Sequence, residues 1–219
     1  MIPKLSSFNY EFPNPLEASS EGIVAWGGDL SPTRLIRAYG SGIFPWYSKD
    51  DPIIWWSVDP RLILDLDDFK LSRSLKKSLK KFEVKFDTNF KEVVLECKAA
   101  KREGQNGTWI QDEIVEAYTT LFDMGIAHSV ESYQDGKLVG GLYGVVVGGV
   151  FCGESMFAKV NDASKVAFAF LVKHLKNRGF DFIDAQVPTN HLKSLGAKEI
   201  SKDEFLKRLK DSKDRFLEF

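Results

Sequence analysis

Residues 138–157 read LVGGLYGVVVGGVFCGESMF, two apolar runs that meet at Gly148 and Gly149. Adjacent glycines accept the positive φ angles of a primed two-residue turn, so the stretch predicts a tight β-hairpin. Beyond residue 127 the periodicity and the turn signals predict strand, strand, strand, helix, strand, helix, strand and helix, in that order. This order predicts an α+β fold that begins with an antiparallel meander.

Glu154 interrupts the second apolar run of the hairpin. Side chains alternate between the faces of a strand, which would place Glu154 with Val150, Cys152 and Met156. A carboxylate among these apolar side chains is costly to bury unless it is paired or hydrogen-bonded. Glu154 is therefore either a satisfied structural anchor or part of a site.

Asp184 and Gln186 repeat the anomaly in the strand expected at 182–187. They should fall on one face of a segment that its flanking helical patterns place inside the sheet. Two polar side chains in that position indicate a cleft in the sheet surface. An edge strand with a wetted face would show the same pattern, so both interpretations stay open.

The composition is that of a globular chain. Of 219 residues, 43% are hydrophobic and 28% are charged, which allows a buried core and argues against disorder. The net charge of -1 supplies no global field for nucleic acid, so such binding would need a local basic patch. Cys97 and Cys152 form no metal-binding motif, and no metal is expected. With no recognisable signal peptide or membrane span, a cytoplasmic protein without membrane contact is expected.

The N-terminal part of the chain differs from the remainder, since it holds most of the prolines and four of the five tryptophans. We expect a small aromatic-rich N-terminal domain at 1–60, packed on a larger domain at 61–219. Trp46 lies in a Gly/Pro-rich segment and is suited to stacking on a base or ring. Trp109 follows the Gly-rich loop 103–107 at a helix start, where it either staples the helix to the core or faces a ligand.

A helix predicted at 69–82 has one basic face. Its apolar residues recur at helical spacing, and the remaining surface carries Arg73, Lys76, Lys77 and Lys80 among other cations. Charge runs are usually solvated surface, and contact with a nucleic-acid backbone is the alternative.

The predicted order of elements resembles the acetyltransferase-type (GNAT) fold, a likeness at fold level. Members of that class hold the pyrophosphate of coenzyme A on a Gly-rich loop at the start of the long helix. Here the corresponding residues, 158–165, read AKVNDASK, and Asp162 would repel a pyrophosphate. Coenzyme A is therefore not expected as the donor.

Seven blocks carry a more specific resemblance. They read WGGDL at 26–30, GIFPW at 42–46, WWSVDPR at 55–61, GTWI at 107–110, FCGESMF at 151–157, DAQV at 184–187 and SLGA at 194–197. Together, in this order and over nearly the whole chain, they look like the leucyl/phenylalanyl-tRNA protein transferase family. Any single block would be weak evidence, whereas the ordered set is specific.

The resemblance implies a bacterial cytosolic enzyme that takes leucine, phenylalanine or methionine from its charged tRNA. It would join that residue to the α-amino group of a protein beginning with arginine or lysine, which marks the product for degradation by the N-degron (N-end rule) pathway. The family needs no metal or nucleotide cofactor, and a monomer on a GNAT-like mixed-sheet domain is expected.

The same resemblance assigns roles to the residues singled out above. Asp184 would orient Gln186 and accept from the attacking amine, Gln186 would bond at the reacting carbonyl or amine, and Glu154 would pair with the basic acceptor side chain. Trp46 and Trp109 would stack on the 3′-terminal adenosine. The apolar donor pocket is expected to be walled by Leu142, Met156, Phe157 and Leu171. The tRNA backbone is expected on Arg73, Lys76, Lys77 and Lys80.

Two other functions fit parts of the sequence. A related transferase could extend a cell-wall peptide from aminoacyl-tRNA, although such enzymes usually carry two of these folds. A non-catalytic RNA-binding module would explain the basic helix and the aromatic residues, but would leave Glu154, Asp184 and Gln186 without a purpose.

Overall fold

The computed structural model describes residues 1–100 and 108–219, so the predicted Gly-rich loop at 103–107 lies outside the described residues. The strands are β1 Lys4–Leu5, β2 Ile23–Gly27, β3 Phe44–Pro45, β4 Ile54–Trp56, β5 Arg61–Asp65, β6 Glu83–Phe86, β7 Ala127–Gln134, β8 Lys137–Val147, β9 Val150–Ala158, β10 Phe182–Gln186 and β11 Lys198–Ile200. The helices are α1 Pro32–Gly40, α2 Arg73–Ser78, α3 Phe90–Ala99, α4 Asp112–Asp123, α5 Ala163–Asn177, α6 Asn190–Ser194 and α7 Lys202–Ser212.

The strands form two mixed sheets. A four-stranded sheet in the order β1-β2-β4-β3 belongs to the small N-terminal unit, and a seven-stranded sheet has the order β11-β5-β10-β9-β8-β7-β6. The element order predicted beyond residue 127 is confirmed. The predicted hairpin turn is confirmed as well, with Gly148 at a φ of 55°.

The large sheet has a parallel pair at its centre, formed by β9 and β10. Their register runs from Phe182 opposite Val150 to Asp184 opposite Cys152. Each strand contains a bulge just beyond that last pair, at Glu154 in β9 and at Ala185 in β10. The two strands therefore separate there, and a split opens in the middle of the sheet.

The bulge at Glu154 reverses the alternation of β9. Gly144 pairs with Gly153 and Tyr143 with Ser155, which leaves Glu154 as the extra residue. The bulge requires a glycine at position 144, because a Cβ at Gly144 would lie only 2.3 Å from the carbonyl oxygen of Cys152. The prediction that Met156 shares a face with Val150 and Cys152 is wrong for this reason.

Each face of the large sheet carries its own core. On one face β-strand residues pack with α3, α4 and the N-terminal unit, where Trp55 is fully buried and donates to the Gly27 carbonyl at 2.9 Å. On the other face α5 packs on the sheet through Ala167, Leu171 and their neighbours. The N-terminal unit thus shares a continuous core with the larger domain.

The helix predicted at 69–82 is shorter in the structure. It begins after Ser72, whose side chain accepts from the Leu75 amide at 3.1 Å, and its last turn is a 3₁₀ turn at Leu79–Lys81. Leu71 precedes the helix and is 41% exposed. Across the described part of the chain, no helix combines the length and apolar character that crossing a bilayer requires.

Candidate active site

A cavity of about 420 Å³ lies at the split between β9 and β10. Its floor comes from the α5 face of the sheet, and its mouth comes from the N-terminal unit and the segment just before α4. The apolar part of its lining includes Leu142, Phe151, Met156, Phe168, Leu171, Ile183 and Leu192. Such an enclosure suits a branched or aromatic side chain of a small ligand.

Two tryptophans flank the mouth of the cavity. Trp46 is 37% exposed, and its ring centroid lies 5.6 Å from that of Trp56. The indole nitrogen of Trp56 donates to the Trp46 carbonyl at 2.5 Å, which holds the Trp46 backbone in place. Trp109 lines the cavity just before α4. Trp109 is half-buried and packs against the adjoining core, whereas Trp46 presents an exposed indole face that is suited to stacking on a nucleobase.

Glu154 projects from its bulge into the cavity and accepts three hydrogen bonds. Its Oε1 accepts from the Tyr39 hydroxyl at 2.7 Å and from the Gln186 Nε2 at 2.8 Å, and its Oε2 accepts from the Tyr118 hydroxyl at 3.1 Å. The two hydroxyl oxygens also lie in contact with each other, but each carries a single hydrogen, so neither can donate to the other while both donate to Glu154. Tyr39 comes from α1 and Tyr118 from α4, so two helices outside the sheet position this carboxylate.

Burial raises the pKa of Glu154 from its ordinary 4.5 to about 7, and the charge of Asp184 adds to the shift, while the three hydrogen bonds oppose it. Burial, followed by the nearby Glu154 charge, raises the pKa of Tyr39 and of Tyr118 well above the ordinary value. Both phenols therefore stay protonated as donors. Glu154 is a carboxyl group whose charge changes near neutral pH.

Behind Gln186 lies a buried ion pair. Asp184 is 1% exposed and accepts from Arg61 through both carboxylate oxygens, at 2.8 Å from Nε and 2.7 Å from Nη2. The same Asp184 Oδ1 accepts from the backbone amide of Gln186 at 3.0 Å. Gln186 has a φ of 59°, and its side chain reaches Glu154. A continuous chain of contacts therefore runs from Arg61 to the cavity.

Comparison with known proteins places this arrangement in a family. The family model for leucyl/phenylalanyl-tRNA protein transferase matches residues 63–210, and the model for the N-terminal domain of that transferase matches residues 28–59. A leucyl/phenylalanyl-tRNA protein transferase of Sulfurimonas denitrificans is 71% identical over 209 residues, covering 95% of this chain and 92% of that protein. The chain belongs to the leucyl/phenylalanyl-tRNA protein transferase family. A namesake from Flavobacterium johnsoniae is 53% identical over 91% of this chain and 95% of its own length.

For this transferase family the structure brings together most of the residues that the sequence singled out. The cavity lining includes Glu154 and Gln186 among the polar residues. It also includes the predicted stacking and pocket residues Trp46, Trp109, Leu142, Met156 and Leu171. Arg73, Lys76, Lys77 and Lys80 lie elsewhere, exposed on and just after α2.

Two predicted positions are wrong. The bulge turns Phe157 to the opposite face of the sheet, where it packs with the core that contains Val93, so it does not wall the cavity. Asp184 does not share the cavity surface with Gln186, because the bulge at Ala185 separates their directions and Arg61 occupies both Asp184 oxygens. Direct contact between Asp184 and an attacking amine is therefore excluded in this arrangement.

Sequence reasoning missed several residues of the site in this transferase. Arg61 is a cation at the head of the apolar strand RLILD, an anomaly of the same kind as Glu154 that could have indicated it. Tyr39 and Tyr118 lie on buried helix faces, where a tyrosine gives no distinct signal. His191 also lines the cavity, and burial together with Lys165 lowers its pKa. Among the described residues, no cluster of three or more potential ligands could hold a metal ion.

Proposed function

We propose that this chain transfers leucine or phenylalanine, with methionine as a third donor, from aminoacyl-tRNA to the α-amino group of proteins that begin with arginine or lysine. The acceptors would be cytoplasmic proteins that the added residue marks for degradation through the N-degron pathway. One observation carries the proposal. In a member of this family, a carboxylate and an amide, Glu154 and Gln186, face the same split that opens into an apolar cavity.

The donor half of the site follows from the lining. The side chain of the aminoacyl group would enter the apolar part of the cavity, between Leu142 and Leu171. The terminal adenosine would stack at the mouth, on Trp46 and Trp109. Apolar walls discriminate weakly between side chains of similar size, which accounts for more than one accepted donor.

The acceptor half of the site rests on Glu154. Its carboxylate would pair with the guanidinium or ammonium of the first acceptor residue, and such pairing lowers the pKa of Glu154 from about 7 toward its ordinary range. Tyr39 and Tyr118 would keep the carboxylate aimed at the cavity, because each donates a hydrogen bond to it.

The reaction is aminolysis of an ester, in which the neutral amine nitrogen forms the amide bond and gives up one proton, and the tRNA ribose oxygen leaves and takes up a proton to become a hydroxyl. An α-amine with a pKa of about 8 is roughly one-tenth neutral at pH 7, so deprotonating it costs only about 1 kcal/mol. Correct placement of the two reactants is worth up to about 7–11 kcal/mol. We therefore assign most of the rate enhancement to positioning. Gln186 donates its Nε2 hydrogen to Glu154, and its Oε1 would accept from the amine.

The remaining assignments concern architecture and tRNA. We propose that residues 1–60 form the N-terminal domain and 61–219 a GNAT-like catalytic domain, that the enzyme acts as a cytoplasmic monomer, and that it needs no cofactor. The exposed cations Arg73, Lys76, Lys77 and Lys80 would contact tRNA phosphates.

A transfer assay tests the proposal. The enzyme is incubated with radiolabelled leucyl-tRNA and with matched peptides that begin with arginine, lysine or alanine. Label should enter the first two peptides at the α-amine and should not enter the third. Transfer to a side-chain amine would favour the cell-wall type of transferase, and tRNA binding without transfer would favour a non-catalytic module.

The variant Glu154→Gln assigns the acceptor role within the same assay. Transfer to the arginine and lysine peptides should fall, while the KM for leucyl-tRNA should stay within about threefold, since the donor cavity is unchanged. The exposed α4 variant Glu116→Gln serves as the control and should behave like the parent enzyme. Equal losses for donor and acceptor would remove Glu154 from the acceptor subsite.

A further inference from the structure

Arg61 is a buried cation, and a contribution to stability does not explain why it is buried. It is 1% exposed, and its guanidinium lies 4.8 Å from the ring centre of Phe44 and 4.3 Å from that of Phe205. Its Nη1 is buried without a hydrogen-bond partner among the described residues. Burying such a pair costs desolvation that well-packed apolar residues avoid, so stability alone gives a weak reason for it.

The geometry of the pair is that of a clamp. Two parallel N–H to oxygen bonds, at 2.8 and 2.7 Å, fix both the position and the rotation of the Asp184 carboxylate. Lysine cannot reproduce this fork, because it presents a single point of charge. The orientation of Asp184 is thus determined by Arg61.

The oriented carboxylate in turn determines the backbone at Gln186. Its Oδ1 accepts from the Gln186 amide at 3.0 Å, and Gln186 has a φ of 59°. A residue with a side chain pays about 1–2 kcal/mol for this left-handed conformation unless a local contact compensates. In that conformation the Gln186 side chain leaves the strand and bonds Glu154 at 2.8 Å.

We infer that Arg61 is a positioning residue for the transfer, which acts through Asp184 to hold Gln186 in its left-handed conformation with its amide aimed into the cavity. The inference rests on the proposed function, since it names how the reacting amine is held by that same site. Arg61 and Asp184 do not touch the substrate. Their effect reaches the reaction through the Gln186 backbone.

Loss of the clamp should therefore impair the chemical step more than binding. Without the guanidinium, Asp184 is a buried anion without a partner, and it can reorient or take up water. Gln186 then loses the bond that stabilises its conformation and relaxes toward ordinary strand geometry. A displacement of about 1 Å in a positioning group can lower the rate about 100-fold. Phe44 packs on the Arg61 guanidinium and lines the cavity, and Arg61→Met keeps an apolar side chain against that ring, so donor binding should persist.

The test uses two variants and a matched control. The variants are Arg61→Met, which removes the charge, and Arg61→Lys, which keeps it but lacks the fork. The control is Arg34→Met. Arg34 is also fully buried and ion-paired, to Asp29 at 3.1 Å, but it belongs to the N-terminal unit and does not line the cavity. Folded fraction is measured by circular dichroism and urea unfolding, and kcat is expressed per folded molecule.

Arg61→Met should lose about 100-fold in kcat and Arg61→Lys about tenfold, with the KM for leucyl-tRNA within about threefold of the parent. Arg34→Met should lose stability with kcat per folded molecule unchanged. If Arg61→Met does not fold, Arg61→Lys decides the question. A parent-like kcat per folded molecule in Arg61→Lys, or an equal loss in Arg34→Met, overturns the inference.

A double variant isolates the route through Asp184. If Arg61 acts through Asp184, then Arg61→Met combined with Asp184→Asn should be no slower than the slower single variant. If the fold-loss in kcat of the double variant equals the product of the two single losses, Arg61 acts independently of Asp184, which contradicts the inference. Failure of the proposed function is distinguishable, because the parent enzyme would then not transfer leucine to the arginine peptide at all.

Discussion

Glu154→Gln should gain stability relative to the parent as the pH rises: the free energy of unfolding of the variant minus that of the parent should increase with pH. Burial raises the pKa of this carboxyl from 4.5 to about 7, so the folded protein keeps a proton that the unfolded chain has already lost. Between these two values the parent loses stability with increasing pH, and above about 7 the cost of holding the charged carboxylate is complete. Glutamine is neutral throughout and has no such cost.

The magnitude follows from the two pKa values. Each pKa unit corresponds to about 1.4 kcal/mol, so a rise from 4.5 to about 7 disfavours the charged form by about 3 kcal/mol. Because Glu154 lines an open cavity and is only partly buried by surface area, solvent screening reduces the expected effect to about 1–2 kcal/mol. Any loss of hydrogen bonds with the tyrosines is a constant offset that does not change with pH.

Urea unfolding at about pH 4.5 and about pH 8 measures how the stability of the variant relative to the parent changes with pH. The midpoint and slope of each curve give the free energy of unfolding of each protein. The stability of Glu154→Gln relative to the parent should rise by about 1–2 kcal/mol between the two conditions. Glu116→Gln, at an exposed position of α4, should shift by less than about 0.5 kcal/mol. A relative stability of Glu154→Gln that is constant or falls with pH would refute the conclusion that burial raises this pKa.

Three further predictions concern the donor. Neutralising Lys76, Lys77 and Lys80 together should reduce the slope of log affinity for tRNA against log salt by about 2–3, measured by filter binding, because three phosphate contacts are lost. Trp46→Ala should raise the KM for leucyl-tRNA by about 5- to 100-fold, from the loss of one stacked base, and Trp46→Phe should restore most of it. Leu171→Val should cost about 1 kcal/mol in urea unfolding and shift the preference toward phenylalanyl-tRNA in a competition assay, because it enlarges the cavity.

Each of these predictions has its own contradicting result, and the lysine variant also has a matched control. The control neutralises the exposed α7 lysines Lys207 and Lys210 and the adjacent Lys213, which removes the same charge from a different surface. If the control reduces the salt slope and the Lys76, Lys77 and Lys80 variant does not, tRNA binds at the α7 surface. An unchanged KM in Trp46→Ala would exclude stacking on that indole. An unchanged donor ratio in Leu171→Val would mean that the aminoacyl side chain lies outside the cavity described here.

The parts of the site that sequence reasoning predicted are those governed by local rules. The hairpin at Gly148 and the helix starts depend on turn chemistry and periodicity within a few residues, whereas the apolar cavity residues were expected from the resemblance to the family. The anomaly at Glu154 was visible because a carboxylate interrupts an apolar strand. The resemblance could not distinguish Met156 from Phe157 as a cavity wall, because the bulge that selects Met156 depends on how Gly144 of the neighbouring strand packs.

Local patterns in the residues are sufficient for the order of the elements, for the family, and for the presence of two carboxylates and an amide in otherwise apolar strands. Which of these groups reach the cavity depends on how distant segments pack together. Arg61 and Asp184 are separated by 123 residues, and Glu154 bonds to tyrosines from two different helices. No local pattern encodes such pairings. They arise because a buried charge is stable only beside the partners that folding brings to it, and those partners then set the direction in which Gln186 points.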